Sequence, residues 1–220
     1  MFWILLKKEL LIEFRSKEIT ISMLTFGMAI ILTFSFAFNV SPQIFSNFAP
    51  GLFWIMILFV SVLGLHRSFS YEKEFDAFSL LISSPVDRGL IFFAKWISAT
   101  LFISLMEILV VLPFFLFLGL QTPSSISGLF GTAVLCNAAL MVVGSLVSGL
   151  AMRARLSEVL LPVLLFPLVS PVIIAAVKIS SAQMAGDLFA DWQIWLYIIL
   201  SFIVIFGLVG FALFDHITEE

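Results

Sequence analysis

Six apolar runs, each close to the length of helix that crosses a bilayer, leave this chain little room for anything else. They fall at about residues 19–38, 49–65, 96–118, 127–152, 156–177 and 194–214. A helical span takes about 20 predominantly apolar residues to cover about 30 Å of hydrocarbon. The strands of a transmembrane barrel instead alternate apolar and polar residues in segments of about ten. These runs are continuous, so the expected fold class is an all-α integral membrane protein with six transmembrane helices, in a single domain over 1–220. Composition excludes the soluble alternative: 62% of the residues are hydrophobic and 11% are charged, where soluble chains carry about 25% charged residues.

Charge placement orients the bundle. Short loops that stay in the cytoplasm are rich in Lys and Arg. Lys7, Lys8, Arg15 and Lys17 precede the first span, Arg67, Lys73, Arg88 and Lys95 lie between the second and third, and Arg153 and Arg155 separate the fourth and fifth. The alternate loops, 39–48 and 119–126, carry none, and Lys178 alone falls on the other side, where a lysine can snorkel to the interface. Both termini are therefore expected in the cytoplasm. Trp54, Trp192 and Trp195 then fall near the outer interface, with Trp3 and Trp96 near the inner one.

Residues 1–18 are too charged to span. Phe2, Leu6, Leu10 and Phe14 recur at four-residue steps, which predicts an amphipathic helix lying in the inner interface. With charged residues before it and no small-residue cleavage site after it, the first span does not read as a removable signal peptide. The single cysteine, Cys136, excludes an internal disulfide and a Cys-x-x-Cys redox pair.

The 66–95 loop is the conspicuous exception to the chain's apolar character. Tyr71, Phe75, Phe78 and Ile82 share one helical face, with Glu72, Glu74 and Asp76 largely turned elsewhere. Ser84, Pro85 and Asp87 read as an N-cap, a proline at the first helical position and an acid near the third, opening a second helix that runs past Arg88 into span three. Physics alone leaves two uses for this patch: a hairpin resting on lipid, or a docking surface whose aromatic face enters a groove on a soluble partner.

The stretch "YEKEFDAFSLLISSPVDRGLIFFAK" resembles the cytoplasmic signature of type-2 ABC exporter membrane subunits, in which an acidic Glu-x-Glu helix leads to Leu-Leu-x-Ser-Pro, a basic residue and a lysine at the start of span three. With "SPQIFSNFAPGLFWIMILFVSVLGLHRSF" and "LLPVLLFPLVSPVIIAA", and with its length and layout, the chain is similar to the CcmB family, haem exporter protein B of cytochrome c maturation. Many relatives have glycine where Asp76 stands. The resemblance implies a bacterial inner-membrane, non-catalytic subunit that couples ATP hydrolysis by a separate CcmA-like ATPase to release of a haem-loaded chaperone. CcmC-like and CcmD-like haem-handling subunits, a CcmE-like chaperone and a dimer or pseudo-dimer of membrane subunits would complete the assembly. The ATPase-coupling residues it implies are Tyr71, Glu72, Glu74, Phe75, Asp76, Phe78, Ser84, Pro85 and Arg88. Membrane lipid, and no nucleic acid, is the other expected partner.

The residues agree with that division of labour, since no Gly-x-x-x-x-Gly-Lys-Ser/Thr is present to cradle a nucleotide. No cofactor is assigned to this chain; haem and ATP would be handled by the complex. The two histidines, His66 and His216, fall at cytoplasmic ends, so axial ligands to haem are expected from partner subunits.

Within the spans, Glu107 lies near the midplane, where a charge costs about 2.5–3.5 kcal/mol or more. It is either a neutral acid hydrogen-bonded to a neighbouring span, with Asn137 a candidate, or a substrate or conformational coupling site. Pro162, Pro167 and Pro171 predict a kinked or broken fifth span, which is either a plain structural feature or a moving part. The faces Gly144-x-x-x-Ser148 and Ser145-x-x-x-Gly149 suit close helix contact, expected inside the bundle. The alternatives to a haem exporter subunit are a generic ABC-2 exporter subunit for a drug or lipid, and a scaffold or transporter not driven by ATP.

Overall fold

The computed structural model describes residues 1–37, 42–74, 86–120, 126–151 and 157–217. Among them are seven helices and no strand: α1 (Phe2–Arg15), α2 (Lys17–Ala37), α3 (Pro42–Glu74), α4 (Arg88–Phe117), α5 (Ile126–Ala151), α6 (Ser157–Ala185) and α7 (Phe189–Ile217). Helices α2 to α7 are each long and apolar enough to cross a membrane. The protein is a multi-pass membrane protein, and its helices run past the apolar runs at several ends. Helix α3 is the extreme case: its 33 residues amount to roughly 50 Å at 1.5 Å per residue, well beyond the hydrocarbon thickness.

Helix α5 forms the centre, packing against α3, α4, α6 and α7. Buried residues make up 72% of its spanning window, against 17% for α7 on the periphery. Its small residues explain the position. A side chain at Gly144 would drive into Leu65 of α3, and one at Gly149 would press on Phe214 of α7. The two small-residue faces are thus spent on internal contacts, as expected where helix association rests on close van der Waals approach rather than on hydrophobic transfer.

Three prolines do not break α6, which is helical without interruption from Ser157 to Ala185. The local chemistry accounts for one of them. Pro171 supplies no N–H to the carbonyl four residues back, that of Pro167, and the Ser170 hydroxyl donates to that same carbonyl at 2.9 Å. Neighbouring Ser side chains commonly re-satisfy freed carbonyls in spans. Pro50 in α3 and Pro113 in α4 are likewise accommodated inside helices.

Helix α1 forms, but its inward face differs from the predicted stripe. Leu5, Leu6, Glu9 and Glu13 are buried, while Phe14 is 57% exposed and Leu10 only half-buried. The helix packs on α4 and α2, and the reason it turns its acids inward lies in α4.

Candidate functional site

Helix α4 presents two polar positions near its start. Lys95 and Ser98, three residues apart, lie on one face and meet Glu9 and Glu13, four residues apart on α1. Lys95 Nζ pairs with Glu9 Oε2 at 3.3 Å, Lys8 Nζ pairs with Glu9 Oε1 at 2.9 Å, and Ser98 Oγ donates to Glu13 Oε2 at 3.0 Å. Lys95, Ser98, Glu9 and Glu13 are all buried. Burial pushes the Glu13 carboxyl up to about 8, with the Ser98 hydrogen bond opposing, nearby Glu9 adding and Lys95 opposing. Near neutral pH Glu13 is therefore mostly protonated, and Glu9 and Lys95 offset one another's charge. A void of about 20 Å³ lies beside the cluster, large enough for one water. Ser61 lines it, and the Ser61 hydroxyl has no protein partner among the described residues.

The second cluster lies farther along α4. Ser104 and Glu107 face α5, where the Asn137 amide nitrogen donates to Glu107 Oε2 at 2.5 Å and to Ser104 Oγ at 3.1 Å. The expected Glu107–Asn137 contact is present. Glu107 is buried and Asn137 fully so, while the Asn137 oxygen has no partner among the described residues. Beside Glu107 a groove of about 250 Å³ opens between α3, α4, α5 and α6, lined by the aromatic rings of Phe53, Trp54, Phe114, Phe115 and Phe130. Trp54 is anchored by its indole N–H, which donates to Ser180 Oγ at 2.9 Å, and Phe53 and Phe114 pack edge-to-face at 5.0 Å.

Of the expected coupling residues, Tyr71, Glu72 and Glu74 form part of the last turns of α3, without a break from the second span. Phe75, Asp76, Phe78, Ser84 and Pro85 lie outside the described residues. Arg88 is the first residue of α4, capped by Asp87, whose side chain accepts from the Gly89 N–H at 2.9 Å. The cap of this helix is Asp87, in place of the expected Ser84, because a carboxylate accepts the otherwise unpaired N–H groups of the first turn and favours the positive end of the helix. Pro162, Pro167 and Pro171 all lie along α6, away from the lining of the Glu107 groove, to which α6 contributes Ser180 and Met184.

The amino-terminal cluster was not anticipated. The available signal was a pair of acids spaced four apart in a helix otherwise rich in Leu and Phe, which places both on one face. Their partner Lys95 borders an apolar run, where a lysine is equally well explained by snorkelling.

A family model described as CcmB protein matches residues 1–218. The chain belongs to the CcmB family. Heme exporter protein B of Pseudomonas aeruginosa is 27% identical over 195 residues, covering 89% of this chain and 87% of that protein. Heme exporter protein B of Escherichia coli K12 is 28% identical over 95 residues, covering 43% of each. The match spans both polar clusters, so the site described here belongs to a CcmB-family bundle throughout.

Proposed function

We propose that this CcmB-family chain is the membrane subunit of a haem exporter serving cytochrome c maturation, driven by an ATPase carried on a separate chain. Family membership across nearly the whole sequence, with a relative named Heme exporter protein B aligned over most of both chains, is the observation that carries this reading. The 66–95 region is the ATPase-coupling element. In its support, α3 extends as one continuous helix to Glu74, far longer than the bilayer requires, and α4 begins at Arg88. A push on the intervening segment would reach both helices directly, and these same two helices supply Phe53, Trp54 and Glu107 to the groove. The termini and this loop lie in the cytoplasm of a bacterium's inner membrane, as the distribution of basic residues supports. Partner subunits handle haem ligation and receive it.

The decisive experiment is partner retention. A ring in a protein groove is worth about 1.5–3 kcal/mol, and a charge in its place adds a desolvation penalty. Phe78→Asp should lower ATPase retention on the purified membrane complex at least about tenfold, one decade per 1.4 kcal/mol, while membrane insertion stays normal. Undiminished retention and maturation would show that the loop rests on the bilayer. Co-purification of haem-handling subunits separates this function from generic export of a drug or lipid. Cysteine labelling in intact cells at position 46 but not 83, with Cys136 replaced, supports the orientation; the reverse pattern defeats it.

A further inference from the structure

We propose that the aromatic groove beside Glu107 is a binding site for a lipophilic organic cation, entered sideways from the lipid. Three observations converge on that ligand class. The first is charge: Glu107 lines the groove, one of its oxygens accepts from Asn137, and no lysine or arginine pairs with it among the described residues. A carboxylate deep in a span costs too much to ionise alone, so a bound cation supplies the counter-charge that the bundle withholds. The second is the wall: Phe53, Trp54, Phe114, Phe115 and Phe130 surround the space. Aromatic faces attract cations within about 6 Å of the ring centroid, most strongly when the pair is desolvated. The third is access. Ile108, Leu112 and Phe130 line the groove and are 46%, 65% and 44% exposed. These are apolar surfaces of a spanning bundle, so a ligand already dissolved in the bilayer reaches the groove through them.

An acyl chain would fill the same space, but it would use neither the carboxylate nor the rings' electrostatics. An anion, including a haem propionate, would meet an acid and no base. The site is thus complementary to a ligand opposite in charge to the cargo of the exporter, and the proposal stands apart from the haem reading.

Equilibrium dialysis of labelled tetraphenylphosphonium against the purified full-length chain tests it, with tetraphenylborate, of the same shape and opposite charge, measured separately. The expected result is one saturable phosphonium site per chain and no matching tetraphenylborate site. Glu107→Gln should weaken phosphonium binding at least about tenfold, which is 1.4 kcal/mol or more. Leu112→Trp, a change at the exposed mouth that leaves the buried polar cluster intact, should also weaken it and keeps the test valid if the first variant fails to fold. Equal binding of both ions, indifference to either substitution, or no saturable phosphonium binding would overturn the proposal and point to a lipid tail as the occupant. Because no haem, nucleotide or partner is present, either outcome leaves the haem-export reading to its own test.

Discussion

Lys95 and Ser98 stand three residues apart on α4, and Ser104 and Glu107 repeat that spacing farther along the same helix. Each pair meets a polar partner on one neighbouring helix, and each includes or receives a buried carboxyl group. The first cluster gives each acid a charged or hydroxyl partner: Glu9 has a lysine on each carboxylate oxygen, and Glu13 accepts from Ser98, its carboxyl pushed up to about 8 by burial. The second gives Glu107 the Asn137 amide as donor and no lysine or arginine among the described residues, beside a groove open to lipid. The contrast teaches that burial of an acid is by itself uninformative, because an acid paired with lysine fastens one helix to another while an acid without a counter-charge beside open space invites a ligand. The two clusters should therefore fail differently when perturbed.

The largest effect is expected at Glu9. Removing one partner of a buried pair costs up to about 3–5 kcal/mol, so Glu9→Ala, which takes away the carboxylate that Lys8 and Lys95 both engage, should lower the unfolding free energy of the purified protein in detergent by at most that order. The double variant Glu9→Ala with Lys95→Met removes the buried ammonium together with its carboxylate and should recover part of the loss. A double variant as unstable as the single one would mean that the pair is not what fastens α1.

Asn137 comes next. Asn137→Leu strips Glu107 and Ser104 of their shared donor, and an unsatisfied buried polar group costs about 1–3 kcal/mol. The loss should appear in the same unfolding measurement, and an unchanged midpoint would show that Glu107 finds another partner and is not held by α5.

How legible these clusters were follows from what each demanded of the chain. Six continuous apolar runs admit one answer in a bilayer, so span number and helical class could be read directly, and the helix ends strayed because a helix need not stop where hydrocarbon stops. Glu107 was conspicuous as an acid in an apolar run, and Asn137 as the amide within reach on the next span. Glu9 and Glu13 were hidden because an acid in a charged segment looks solvated; only tertiary contact with Lys95 and Ser98 turns them inward. The prolines of α6 predict a kinked or broken span, and the helix runs unbroken from Ser157 to Ala185. Proline in a helix interior usually costs about 3 kcal/mol or more, but that figure takes no account of a serine such as Ser170 placed to occupy the freed carbonyl.

An effect of comparable size should be graded by pH. Glu13 rises from 4.5 when exposed to about 8 when docked, so the docked helix binds the proton more tightly, and docking weakens as pH climbs from about 4.5 through 8 and levels off above that. The groups that face it are Glu9 on α1, and Lys95 and Ser98 on α4; α3 contributes Ser61 and Ser68 to the adjoining void, and α2 the apolar Ile19 and Met23. Hydrogen exchange of the α1 amides, corrected for the intrinsic pH dependence, should therefore show progressively less protection between pH 6 and 9 in the wild type. Glu13→Gln carries no proton to lose and should give flat protection across that range. A slope that survives the substitution would assign the titration elsewhere.

The smallest stability effect is expected at Glu107, and this sharpens the contrast most. Glu107→Gln keeps the shape of the side chain and an oxygen to accept from Asn137, so the change in unfolding free energy should stay within about 1 kcal/mol, the scale of one net hydrogen bond. The equivalent change at Glu9 should cost more, since it neutralises a buried carboxylate engaged by two lysines. Measured side by side, the two substitutions separate a carboxylate kept for structure from one kept for what it can hold. A Glu107→Gln variant as unstable as Glu9→Gln would mean that Glu107 is a structural anchor after all. A stable one with reduced cytochrome c maturation and normal membrane abundance would tie this acid to the working cycle of the exporter.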